Sequence, residues 1–270
     1  RQMCIRDRAK ENGTTEVNNV NPTAQAKPAA KKAIDDALKA KNDAIDENND
    51  LTAEEKAKAK EDAKAKADAA KTAIDNATTN DAVTQAKNDG ATSVDSVNPT
   101  PVAKPAAKKA VEDALADKIK AIEANNDLTD EEKTAAKQEA QAKADAAKQT
   151  IDNATTNAGV EQAKNDGATS VNSVNPTPVA KPAAKKAIED ALKAKEAEID
   201  SRDDLTSEEK LSAKEEAKIK ADAAKQAIDK ATTNVDVENA KTTGVADVNS
   251  LNPVAVKKSE AKKAVDEALK

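Results

Sequence analysis

Apolar residues in the middle of the chain recur at helical intervals. Val111, Leu115, Ile119 and Ile122 are spaced four, four and three apart, which puts them on one face of a helix predicted over 105–125. A second stripe, Ala136, Ala140, Ala144, Ala147, Ile151 and Ala154, keeps a four/three alternation and predicts a helix over 130–154. A third, Val160, Ala163, Gly167, Val171 and Val174, is spaced three, four, four and three. Strand alternation is absent, so the pattern reads as all-α.

The same three stripes return along the chain at a fixed interval of 77 residues. The stretch Lys104-Pro-Ala-Ala-Lys-Lys-Ala-Val-Glu-Asp-Ala-Leu115 reappears from Lys27 to Leu38, from Lys181 to Leu192 and, more loosely, from Lys258 to Leu269. A fixed period of this size marks a tandem array. Three complete units are read at 21–97, 98–174 and 175–251, preceded by the tail of a repeat at 9–20 and followed by the start of a fourth at 252–270. Residues 1–8 share nothing with the register, hold the chain's one Cys and one Met, and are set aside as an artefact of a broken end.

Punctuation between the stripes supports three helices per unit. Each unit opens on a proline-bearing connector such as Asn98-Pro-Thr-Pro-Val-Ala-Lys-Pro105, which interrupts an arriving helix because proline lacks an N–H and biases its predecessor to extended conformations. Pro105 suits the first turn of the next helix, where its N–H would be unpaired. Thr52 with Glu55, Thr129 with Glu132 and Thr206 with Glu209 each make a capping box at the start of helix two. Thr155-Thr-Asn157 supplies the turn into helix three. In the first unit Asn42 interrupts the helix-one stripe where the second has Ile119. The glycines at 90, 167 and 244 stand on the helix-three stripe. They imply either close backbone packing against helix one or two, or a break between two short helices; a hinge or a ligand contact is the functional alternative.

Composition narrows the function more than the fold. The 270 residues contain no His, Phe, Tyr or Trp, and 44 basic residues are interleaved with 50 acidic ones for a net charge of −6. Leu, Ile and Val number 38, about 14% of the chain, below the roughly 20% at which disorder becomes a strong alternative. The abundance of Ala, Lys, Glu and Gln, good helix formers in regular register, argues for helical order instead. Cys4, alone, allows no intramolecular disulfide and no cysteine metal cluster. No apolar run is long enough to span a membrane.

Candidate chemistry is correspondingly thin. Without His, a nucleophile would need a Lys or carboxylate base in a dry pocket, which an alanine-lined bundle does not offer, so no enzyme, catalytic residue or cofactor is expected. The acidic turn Asp46-Glu-Asn-Asn-Asp50 invites a calcium reading, but Leu51 stands where an EF-hand loop needs Gly and Ala57 where it needs a bidentate Glu; no metal site is expected. Lys56, Lys58 and Lys60 are flanked by Glu54, Glu55, Glu61 and Asp62, a mixed solvated face without the aromatic platforms of nucleic-acid binding. No small-molecule ligand and no membrane insertion are expected. Glu139 with Lys143, Asp62 with Lys66 and Glu216 with Lys220 are i,i+4 pairs worth about 0.2–0.5 kcal/mol each. Interfaces are anchored by Trp, Tyr and Arg, and beyond residue 8 only Arg202 is of that kind, so the composition suits a spacer better than an array of tight binding modules.

Taken together, the Lys-Pro-Ala-Ala-Lys-Lys-Ala-Ile opening, the Asp-Leu-Thr-x-Glu-Glu turn, the Ala-Lys-x-x-Gly element and the closing Val-Asn-Pro resemble the repeats known as domain of unknown function 1542 over 9–270. That resemblance implies a stalk region of a long, extracellular, cell-wall-attached surface protein of Gram-positive bacteria, with host or matrix contact made through the whole protein, and it transfers no binding residue. The expected architecture is alanine-rich three-helix bundles strung end to end into a monomeric rod. At about 38 Å per 25-residue helix, three units would reach on the order of 100 Å. Each bundle is poor in bulky core residues and is expected to be marginally stable and helped by its neighbours.

Overall fold

The computed structural model describes residues 2–19 and 24–269. Among them are eleven α-helices and no strand. Contacts divide the chain into two compact units, 1–106 with 152–160, and 107–151 with 161–270.

In the first unit α1 (Gln2–Asn19) buries no residue and crosses the boundary at residue 8 without a break. Val20, assigned above to the tail of a repeat, lies outside the described residues. α2 (Ala26–Glu47), α3 (Ala53–Asn76) and α4 (Asn80–Asp95) follow, and each packs on the other two. The stripes face inward as their spacing requires. Ile34, Ile74, Val83 and Val94 meet Ala67 and Ala70 in one half of the core, and Ile45, Leu51 and Val97 meet Ala59 and Ala63 in the other. Leu38 packs against both halves. Alanine lets the helices close up but buries little apolar area, at about 0.8 kcal/mol per buried CH2, so the few bulky aliphatics carry the core. Asn42, in the gap of the helix-one stripe, leaves its Oδ1 buried without a hydrogen-bond partner, a cost an aliphatic side chain would not have.

In the second unit α5 (Ala103–Ala124), α6 (Asp130–Asn153) and α7 (Asn157–Asn172) supply residues 107–151 and 161–172. Val111, Ile151 and Val171 are fully buried there, and Lys148 of α6 pairs with Glu112 of α5 at 3.1 Å. α8 (Ala180–Asp200), α9 (Ser207–Lys230) and α10 (Asn234–Asn249) form the next bundle, each in contact with the other two. Ile188, Ile228, Val237 and Val248 centre its core. α11 (Lys257–Ala268) opens a further copy and buries nothing.

Helix one starts two residues earlier than expected, at Ala103, so Pro105 is its third residue, still within the turn whose N–H groups have no intrahelical acceptor. The three capping boxes form: Glu55 N reaches Thr52 Oγ1 at 3.3 Å and Thr52 N reaches Glu55 Oε2 at 3.0 Å, with the same exchange at Thr129 and Glu132 and at Thr206 and Glu209. Glu139 and Lys143 pair at 3.1 Å, whereas Lys66 turns to Ser96 Oγ at 2.9 Å.

Helices α4, α7 and α10 run unbroken through Gly90, Gly167 and Gly244. A Cβ on Gly167 would stand 2.5 Å from Ala147 Cβ, and one on Gly90 or Gly244 would strike Ala70 or Ala224 and come within 2.9 or 2.8 Å of Ile34 or Ile188 Cδ1. Helix three therefore touches helix two at its backbone. Gly13, its counterpart on α1, has nothing within 4 Å of that point.

Candidate functional site at the joint between repeats

Among the described residues, the buried polar side chains Thr52, Lys104, Thr129 and Lys181 lie where one repeat meets the next, while buried Lys195 pairs with Glu198 within α8. In the first unit the turn after α2 and the start of α3 face the connector and the turn after α6. Glu55, having given Oε2 to its own capping box, accepts the backbone N–H groups of Val102 and Ala103 on Oε1, both at 3.0 Å. Lys104, 4% exposed, donates from one Nζ to Asn49 O at 2.8 Å and Asp152 O at 2.6 Å. These carbonyls lie beyond the C-terminus of α2 and at that of α6, where a cation is favoured by the helix dipole. In the reverse direction Ala53 N donates to Thr155 O at 2.7 Å and Thr52 Oγ1 to Asn157 Oδ1 at 2.7 Å, while Asn157 N donates back to Glu54 Oε2 at 3.0 Å.

The second unit contains most of this set one period on. Glu132 Oε1 accepts Val179 N and Ala180 N at 2.9 and 3.0 Å. Lys181 Nζ donates to Asn126 O and Asp229 O at 2.7 and 2.9 Å. Asp130 N reaches Thr232 O at 2.7 Å and Asn234 N reaches Glu131 Oε2 at 2.9 Å. A third instance involves Glu209, which accepts Val256 N and Lys257 N at 3.0 Å, and Lys258, which donates to Asp203 O at 2.6 Å. There Arg202 adds a brace, bonding Asp204 and reaching Asn252 Oδ1 and Pro253 O at 3.3 Å. Thr52 and Thr129 are fully buried, whereas Thr206 is half-buried.

The acidic turn read above as a failed calcium loop belongs to this joint. Asp50 N closes on Asn48 Oδ1 at 3.0 Å, Asn49 O receives Lys104, and Asp46 binds Lys56 through its carbonyl and Lys60 through its carboxylate. Surface grooves of about 440 and 430 Å3 lie over Ala70 and Gly90, and over Ala147 and Gly167. Alanine and glycine floor both, with Lys66 and Asp89 lining the first and Glu139, Lys143 and Asp166 the second. Sequence reasoning gave Glu55, Glu132 and Glu209 only their local capping role. The signal that could have revealed the second role is the lysine held 49 residues after the capping glutamate, at 55 and 104, 132 and 181, and 209 and 258.

Electrostatics at the joint favour the carboxylate form. Burial pushes Glu55 and Glu132 up, but hydrogen bonds from the cap and connector N–H groups outweigh it and hold both below the usual glutamate range. The N–H groups of Thr206, Lys257 and Val256 bring Glu209 down to about 2. A carboxylate whose folded pKa is depressed stabilises fully above its unfolded pKa, near 4.5, and that contribution is lost as pH falls through the folded value. Stability is therefore expected to decline between about pH 4.5 and pH 2. Urea denaturation across this range should show a shallower decline in the triple variant Glu55→Gln, Glu132→Gln, Glu209→Gln. A residual slope is expected from Asp204, held at about 2 first by its hydrogen bond from Arg202; an unchanged slope would mean that the joint carboxylates do not set the acid limit.

The phase of the joint coincides with that of a known family. The model for the Domain of Unknown Function (DUF1542) matches residues 26–102, 103–179 and 180–256, three successive stretches of 77 residues that each begin within two residues of helix one. The chain belongs to the DUF1542 family. Among curated proteins it is similar to the extracellular matrix-binding protein EbhA of Staphylococcus aureus (strain Newman), 29% identical over 262 residues that cover 97% of this chain and 8% of the relative. It is equally similar to the extracellular matrix-binding protein ebh of strain NCTC 8325 / PS 47, 29% identical over 97% of this chain and 3% of the relative. This DUF1542 chain thus spans a small fraction of the length of the relatives it matches. No solved structure matches it. Among the described residues no helix is long and apolar enough to cross a membrane, and no group of three or more acidic or thiol side chains is arranged to hold a metal ion.

Proposed function

We propose that these DUF1542 repeats are a structural spacer of a bacterial cell-surface, adhesin-like protein, holding a binding region away from the cell wall. The observation that carries this reading is the joint: the same carboxylate, lysine and backbone groups recur one period apart. The recurring buried lysine and capping glutamate fix one repeat to the next, while the outer faces carry exposed pairs such as Lys32 with Asp36, Lys109 with Asp113 and Lys186 with Asp190. In this reading the repeats have no catalytic role and take no cofactor or small-molecule ligand. The protein acts outside the cell, and its attachment to the wall is made elsewhere in a longer chain. Domain limits at 21–97, 98–174 and 175–251 describe the same period five residues ahead of the family match.

The name of the relatives, extracellular matrix-binding protein, favours a second reading, in which the repeats themselves bind matrix protein weakly and gain strength from number. Small-angle scattering on the chain, with binding to immobilised matrix proteins measured on the same sample, separates the two. The spacer reading expects a monomer with a rod-like profile of about 100 Å and no retained signal. Retention that rises steeply from one repeat to three would favour the multivalent reading, and a coil-like profile would overturn both.

A further inference from the structure

We propose that each repeat is completed by its neighbour: the turn end of one repeat is a receptor surface whose partner is the start of the next, and the two cap each other's helices. The first helix of a repeat lacks a cap of its own. Val179 before α8 and Val256 before α11 occupy the N-cap position without a side-chain hydrogen bond, as valine must, having no acceptor. The missing acceptor is supplied by the preceding repeat, through Glu132 for Val179 and Ala180 and through Glu209 for Val256 and Lys257. In return, the turn before the third helix of the later repeat satisfies the start of the second helix of the earlier one, with Asp130 N held by Thr232 O. The later third helix is itself held by the earlier repeat through Asn234 N and Glu131.

The surface is selective for one kind of partner. It presents two acidic side chains and a bare turn carbonyl, and so fits a helix start that offers adjacent free N–H groups and, two residues on, an ammonium. Val102-Ala-Lys104 and Val179-Ala-Lys181 meet that requirement, as does Val256-Lys-Lys258. Lys181 is buried only because both carbonyls it binds, one from each repeat, are in place; an ammonium left there without them would carry a large desolvation cost. Helix starts in successive repeats should therefore form or fray together. The inference concerns the joint itself and holds whether or not the array serves as a spacer.

Amide hydrogen exchange on the whole chain tests it. Lys181→Met leaves the Thr129/Glu132 capping box intact and removes only the ammonium, while Glu132→Gln removes one of the two carboxylate acceptors. Each is expected to speed exchange at Val179, Ala180 and Asn234 by tenfold or more, and the double variant should add little to the faster of the two. Lys186→Met, which removes an exposed pair with Asp190 on the same helix, should leave these amides as in the parent. Unchanged exchange at Val179 and Ala180, an effect of Glu132→Gln confined to 130–153, or multiplicative effects in the double variant would each overturn the proposal.

Discussion

Gly90→Ala is expected to destabilise the first repeat by about 1–3 kcal/mol, although alanine is the better helix former by about 1 kcal/mol. The sign is decided by packing. The added methyl would strike Ala70 on α3 and come within 2.9 Å of Ile34 Cδ1 on α2. Ala70 cannot rotate out of the way, because its Cβ is fixed by the backbone. Helix α4 must move off α3, and the contacts around Val83 and Val94 loosen with it. Gly13→Ala is the internal control: with nothing within 4 Å of its Cβ position, only the propensity gain remains, and α1 should become slightly more helical. Urea denaturation followed by amide exchange in α4 would check the first, and circular dichroism the second. Equal stabilisation by both substitutions would show that helix three does not touch helix two at its backbone.

Ile74→Ala should have the larger effect, a loss of about 2–5 kcal/mol. Ile74 is fully buried in a half-core whose other bulky members are Ile34, Val83 and Val94. Its remaining wall is alanine, which has no rotamer with which to fill the vacated space, so the cavity persists and the cost sits towards the upper end of that range. A core of this size supplies only about 3–5 kcal/mol in total, so the substitution is expected to unfold α2–α4 while the bundle of α8–α10, with its own core, keeps its structure. Thermal denaturation by circular dichroism should resolve into an early loss of the first repeat and a later transition near the parental midpoint. A single transition shifted as a whole would show instead that the repeats melt as one cooperative body.

Much of this architecture is local and was legible in the sequence. The 3.6-residue period placed Ile34, Ile74, Val94 and their counterparts on inner faces because a helix repeats every turn whatever it packs against. The capping boxes at Thr52, Thr129 and Thr206 were readable because cap and partner stand three residues apart on a fixed backbone. The fixed repeat identified the array before any fold was known. Tertiary structure decided what those contacts could not reach. The glycine at 90, 167 and 244 was compatible with a break or with close packing, and only the position of helix two, as at Gly90 and Ala70, chose the second. The joint was hidden for a different reason. A carboxylate has two oxygens, and a capping box uses one. The second oxygen of Glu55 and Glu132 finds donors 47 and 48 residues away, and Thr52 finds Asn157 at a separation of 105. No periodicity in one repeat specifies such partners, because they become neighbours only after two repeats have folded.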